Sequence, residues 1–232
     1  MATASTFDNT GLSSAPRAGR VARAMAYDPT VDLQSAFGNI DIYLFDQLLR
    51  GRIAPGMRVF DAGCGGGRNL VYLLRSGYDV RGIDEDPAAI AATRALVREL
   101  APHLPPDNFQ VEPLESPGVP DASADLVIAS AVLHFARDDA QFDAMLRGVW
   151  RVLAPGGLFF ARLASTIGIE SELRQLHGRR YALPDGSDRY LVDEALLLHY
   201  ADALGGQLID PIKTSVVQHQ RSMTTWVLRK AR

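Results

Sequence analysis

Residues 59–67, VFDAGCGGG, constrain this chain most tightly: a carboxylate, Asp61, closes an apolar run, and glycines then stand at positions 63, 65 and 67. Glycine lets a backbone turn tightly and approach a ligand closely. The RNLVYLL segment that follows, Arg68 to Leu74, carries apolar residues at helical spacing. Together they predict a strand, a ligand-cradling turn and a helix. The dinucleotide fingerprint G-x-G-x-x-G, counted from Gly63 and Gly65, would need glycine where the chain has Arg68, so its last element is missing.

The rest of the chain alternates strand and helix patterns. An amphipathic helix over 40–49 leads into a strand near 58–61, and further strands are expected near 79–83, 108–112, 125–130 and 157–163. Helical patterns lie between them at 69–76, 87–100 and 139–152, with Pro87 suited to a first helical turn. Strict alternation implies a parallel sheet covered by helices on both faces, a doubly wound α/β fold. After the fifth strand, 165–193 intervenes before the helix 194–204. It contains RRYAL, a Pro184-Asp185-Gly186-Ser187 turn and DRYLV, which read as a short β-hairpin. An insertion at the carboxyl end of a parallel strand overhangs the ligand crevice, so this segment is expected to cover the substrate.

Four segments in this order, VFDAGCGGG, the strand ending in Asp84 and Glu85, ADLVIASAVLHF (124–135) and LAPGGLFFARL (153–163), resemble the motifs of class I S-adenosylmethionine-dependent methyltransferases. The resemblance covers roughly residues 40–230, and GCGGGRNLVYLLRSGYDVRGID is especially similar to the tellurite-resistance-type branch and to nearby small-molecule methyltransferases. It implies a Rossmann-like sheet of about seven strands with the last antiparallel, S-adenosylmethionine as cofactor and S-adenosylhomocysteine as product. On the cofactor side it implies Asp61 toward the cationic methionine end, the loop Gly63, Cys64, Gly65 and Gly67 around the amino acid portion, and Ser130 on the loop that faces the methyl group. Asp84 and Glu85 would accept from the ribose hydroxyls. Arg68 and Asn69 either donate to the carboxylate or form a solvated first turn. Glu112 is the candidate adenine contact with Leu114 on the ring; Pro113 disturbs the pattern, which leaves Glu115 or a solvated glutamate open.

Toward the acceptor, His134 follows the fourth strand, and its ordinary pKa would let it take a proton; a histidine packed and hydrogen-bonded in its loop is the competing reading. Methyl transfer from a sulfonium proceeds by in-line displacement, so positioning and desolvation suffice without a base. Arg162, at the end of the fifth strand, is expected in the crevice. The insertion carries Arg174, His177, Arg179, Arg180 and Arg189; Arg180 is the candidate there for an anionic substrate, although nearby Glu170, Glu172, Asp185 and Asp188 would pair with several of these cations. His219 is expected at the rim, in the turn between strands 212–218 and 223–229.

Composition narrows the function further. With 47% hydrophobic and 22% charged residues the chain is an ordinary globular protein, and a formal charge of −3 provides no basic field for nucleic acid. The segment Ile128-Ala129-Ser130-Ala131 lacks the [DN]-P-P-[YFW] tetrapeptide of nucleic-acid amino-methyltransferases. Cys64 is the single cysteine, which excludes an internal disulfide. No apolar run approaches a membrane span. One domain over 27–232 is expected, cytoplasmic and without metal, preceded by a disordered leader over 1–26 that contains Arg17, Arg20 and Arg23. A non-catalytic nucleoside-binding regulator and an NAD-dependent oxidoreductase are the alternatives from other classes.

Overall fold

Strand residues alternate between two cores, and that alternation places helices on both faces of one sheet. The computed structural model describes residues 32–232. The expected leader, with Arg17, Arg20 and Arg23, lies outside them. In chain order the elements are α1 (Leu33–Phe37), α2 (Ile42–Leu49), β1 (Arg58–Ala62), α3 (Val71–Arg75), β2 (Asp79–Asp84), α4 (Pro87–Leu100), β3 (Phe109–Val111) and β4 (Ala124–Ser130). They continue with α5 (Asp139–Val152), β5 (Leu153–Ala164), β6 (Arg174–His177), β7 (Arg180–Ala182), β8 (Asp188–Tyr190), α6 (Glu194–Ala203), β9 (Gly206–Leu208), β10 (Lys213–Val217) and β11 (Arg221–Lys230).

Val59, Leu126, Ile128, Leu158 and Phe160 pack with Leu44, Leu73, Ile90 and Val97 of α2, α3 and α4. The intervening Phe60, Val127, Ala129, Phe159 and Ala161 pack with Phe142, Leu146 and Leu197 of α5 and α6. Period-two alternation has thus divided each central strand between the two layers. Phe60, Phe159, Phe160 and Trp226 are at most 1% exposed, and burial of each such side chain stabilises the fold by about 1.5–3 kcal/mol.

The main sheet runs β10-β11-β5-β4-β1-β2-β3, with β9 paired to β11. Strands β1 to β5 are parallel, and β11 is antiparallel to both β5 and β10. Chain order reverses direction between β1 and β4, which opens a crevice at their carboxyl ends. Asp86 caps α4 through the Ala88 amide and Pro87 opens the helix, so its start follows from local chemistry.

Residues 165–193 form a three-stranded antiparallel sheet, β6-β7-β8, instead of a two-stranded hairpin. All four residues of β6 are exposed, so no alternation marks it in the sequence. Strand β9 and helix α1 are likewise too short to show a period.

Candidate active site

The glycine turn is tied to the neighbouring strand, because the Gly63 and Cys64 amides both donate to the Ile83 carbonyl, at 2.8 and 2.9 Å. Gly63 has φ +76°, and a Cβ there would lie 2.4 Å from Val132 Cγ2, so only glycine fits. Gly65 has φ +53°, and its Cβ position is open for 4 Å. That space belongs to a cavity of about 410 Å³, within the usual range for a small-ligand site.

Expected cofactor residues Gly63, Cys64, Gly65, Asn69, Asp84, Glu85 and Ser130 all line this cavity, together with Arg68 and Leu114. The Asp84 carboxylate accepts from the Gly65 amide at 2.9 Å and the Asp86 amide at 3.0 Å, so it also holds the turn in place. Cys64 is buried, and burial pushes its thiol pKa up, which removes thiolate chemistry at neutral pH. Asp61 is not on the cavity wall: it is 1% exposed, and neither of its carboxylate oxygens has a hydrogen-bond partner among the described residues. Burial pushes its pKa up to about 7; Arg68 opposes the shift and Asp84 adds to it.

Several expectations are corrected. Gly67 faces α4: a Cβ there would come within 2.8 Å of Leu96, so the glycine permits helix packing rather than ligand approach. Glu112 is absent from the cavity wall because its carboxylate accepts from the Gly118 amide at 2.6 Å. Glu115 accepts from Gln141, which does line the cavity. Arg180 is held by Asp188 and donates to the Ala136 carbonyl at 3.0 Å, so it braces β7 and β8. The side chain of His219, in the turn between β10 and β11, is 73% exposed and lies 3.4 Å from Glu172 of the insertion, and it is not on the wall of the cavity.

His134 is buried, and its Nδ1 accepts from the Ala164 amide at 3.2 Å. Desolvation, with Arg189 adding to it, lowers its pKa to about 4. Above that pH the ring is neutral and, with Nδ1 acting as acceptor, carries its proton on Nε2, so neither nitrogen offers a free lone pair. The general-base reading is therefore replaced by one in which His134 positions the loop. Long-range ¹H–¹⁵N spectra are expected to show the neutral Nε2–H tautomer from pH 5 to 8; titration near the ordinary histidine pKa would restore the base.

Arg162, expected in the crevice, is not on the wall of this cavity and turns to a partner the sequence did not reveal. Its guanidinium donates to Asp41 at 2.9 Å and lies over the Tyr43 ring, 5.2 Å from the centroid. Ser130 also donates to Asp41, at 3.4 Å, and accepts from Arg68 at 3.1 Å. The Asp41 amide donates to Asn69, at 2.9 Å. Asp41 is legible in sequence as the acid before a helix, and it does cap α2 through the Tyr43 amide. Its second role needs residues 28 to 121 positions away.

A cavity lined by the glycine turn and by Asp84, Glu85 and Ser130 thus lies at the carboxyl ends of β1, β2 and β4, at the switch point of an open α/β sheet edged by an antiparallel hairpin. Residues 60–161 match the family model described as a methyltransferase domain. In this stretch the chain is similar to the class I, S-adenosylmethionine-dependent methyltransferases. Over 107 residues it is 36% identical to an uncharacterized methyltransferase of Synechocystis, covering 46% of this chain and 47% of that protein. The chain spans less than half the length of the first curated relatives it matches. Solved structures that share the fold include two methyltransferases. An S-adenosylmethionine-dependent methyltransferase from Methanosarcina mazei has a TM-score of 0.66 and 18% identity, covering 79% of this chain and 97% of the other. The Burkholderia thailandensis 1,6-didemethyltoxoflavin N1-methyltransferase, solved with its substrate and S-adenosylhomocysteine, has a TM-score of 0.61 and 20% identity, covering 80% and 76%. Among the described residues no helix is long and apolar enough to cross a membrane.

Proposed function

We propose that this chain transfers the methyl group of S-adenosylmethionine to a small-molecule acceptor that carries a negative charge. The observation that carries the cofactor assignment is the pairing of two unmet needs: a buried Asp61 carboxylate without a partner and a Gly65 whose Cβ space stands open into the cavity. An ammonium group satisfies the first and a close-lying ligand fills the second. Neither feature calls for a phosphate.

In this reading Asp61 meets the cationic methionine end, the Gly63 to Gly65 turn cradles it, and Asn69 and Arg68 at the head of α3 face the carboxylate. Asp84 and Glu85 take the ribose, and Leu114 packs on the adenine. When bound, the cofactor supplies a methyl carbon made electrophilic by its sulfonium. The chain's part is to hold the acceptor in line and exclude water, because in-line displacement from a sulfonium can proceed on positioning and desolvation without a base. Ser130, fixed between Arg68 and Asp41, marks the end of the crevice nearest the acceptor. A nucleic acid acceptor is disfavoured by the overall charge of −3.

Calorimetric titration with S-adenosylmethionine, S-adenosylhomocysteine and NAD tests the reading: the first two should bind, and binding of NAD alone would overturn it. Asp84→Ala should weaken both adenosyl ligands by about 1.5–3 kcal/mol, the scale of hydrogen bonds to a charged group. Equal losses are expected because the ribose is common to both, and unchanged affinities would remove Asp84 from the site.

A further inference from the structure

We propose that a second cavity, beside the first, holds the carboxylate or phosphate of the acceptor between Arg189 and Arg221. The proposal rests on the methyltransferase reading and names the substrate class for the same site. The cavity measures about 170 Å³, and its wall includes Ala131, His134, Asp185, Ser187, Arg189 and Arg221. Ala131 lines the cofactor cavity as well, so the two spaces share that residue as a wall. Ala131 has φ +62°, a costly conformation for a residue with a side chain, and its amide donates to the Arg162 carbonyl at 2.7 Å. Backbone strain is thus held at the boundary where an acceptor would pass from one space to the other.

Position and partners separate these two arginines from the other cations of the cover: Arg174 and His177 are absent from this cavity wall. Arg179 is paired with Asp193 and Arg180 with Asp188. Among the described residues, neither Arg189 nor Arg221 has a carboxylate within 4.0 Å. Arg189 is braced for another purpose: its guanidinium lies over the Phe135 ring, 4.9 Å from the centroid, and Nη1 donates to the Asp188 carbonyl at 2.7 Å. Arg221 begins β11, so the two cations come from separate elements, one in the insertion and one in the edge hairpin.

His134 adds a neutral donor. With Nδ1 engaged by Ala164, its Nε2–H has no hydrogen-bond partner among the described residues, and the ring is 6% exposed on the cavity wall. The carboxylate in the wall is Asp185, whose Oδ1 accepts from the Ser187 amide at 3.0 Å and the Ser187 hydroxyl at 2.6 Å. It offsets one guanidinium, and one net positive charge remains to meet an anion. The volume suits a carboxylate or phosphate group but not a nucleotide, so the anionic end of the acceptor sits here and its nucleophilic atom lies toward the cofactor. Guanidinium geometry favours such oxyanions.

The test titrates benzoate and inorganic phosphate into the full chain loaded with S-adenosylhomocysteine, following the side-chain N–H signals of Arg189, Arg221 and His134. Saturable shifts at millimolar concentration are expected with at least one anion. Arg189→Gln and Arg221→Gln should each weaken that binding by about 10-fold, and Asp185→Asn should tighten it. Absence of saturable shifts with both anions, persistence of binding in the Arg189→Gln/Arg221→Gln double variant, or weakening by Asp185→Asn would overturn the proposal. A second arm compares acceptors as the free acid and the matching amide with methyl-labelled S-adenosylmethionine. The acids should be methylated with the higher kcat/KM, and each arginine substitution should raise KM for acids alone; equal losses on amides would overturn it. Cofactor affinity is measured on every variant. Failure of the wild-type chain to bind S-adenosylmethionine would defeat the methyltransferase reading, and the anion titration would still report on the cavity by itself.

Discussion

Gly65→Val is expected to abolish S-adenosylmethionine binding, with a loss of at least about 100-fold, in a protein that still folds. The local geometry separates the two effects. No heavy atom lies within 4 Å of the added Cβ, so the fold has room for it, but the room is the cofactor cavity. Gly65 is also fixed on both sides, its amide to Asp84 at 2.9 Å and its carbonyl to the Thr93 hydroxyl at 2.6 Å, so the turn has little freedom to swing the branch aside. The positive φ adds a strain of about 1–3 kcal/mol for a side chain that avoids this region. A thermal melt should fall by roughly 2–12 °C. Gly65→Ala carries similar strain and a smaller intrusion, so its affinity should lie between valine and wild type. Wild-type affinity in a folded Gly65→Val protein would remove the turn from the site.

Affinity for S-adenosylmethionine is expected to fall by roughly tenfold for each pH unit below 7, through Asp61. The ligand's ammonium needs the ionised carboxylate, and burial holds the free protein's pKa at about 7, so binding in acid must first displace a proton. The stability of the ligand-free protein should run the other way. A carboxyl whose folded pKa is raised binds protons more tightly when folded than when unfolded, so its favourable contribution is complete below its ordinary value of 3.8 and is lost as pH rises to about 7. Asp61→Asn should therefore stabilise the ligand-free protein at pH 8, weaken the cofactor by about 1.5–3 kcal/mol there and flatten the pH dependence. Calorimetry from pH 5 to 8 and melts at both ends measure all three. A pH-independent affinity in the wild-type chain would place the ammonium elsewhere.

Much of the architecture was legible without coordinates because it depends on neighbours in sequence. The helices over 87–100 and 139–152 appear at their expected bounds, since apolar spacing and the Asp86-Pro87 start act within a turn or two. The glycine turn was legible for the same reason: Asp61, Gly63 and Gly65 act through local backbone geometry and a strand end. Alternation between two cores follows from the pleat itself.

Tertiary structure decided how the remaining polar side chains are used, because that depends on which partner the fold brings within reach. Gly67 serves the packing of α4, and Glu112 is taken by the Gly118 amide. Arg180 is taken by Asp188, whereas Arg189 is left facing a cavity, although both lie in one basic segment. His134 is kept neutral by burial and offers its Nε2–H because the Ala164 amide, 30 residues away, occupies its other nitrogen. Asp41 joins Arg162 across 121 residues of chain. Periodicity and spacing report the face a residue occupies, but hydrogen bonds and ion pairs form over a few ångströms, and only the folded chain brings such distant groups within that range.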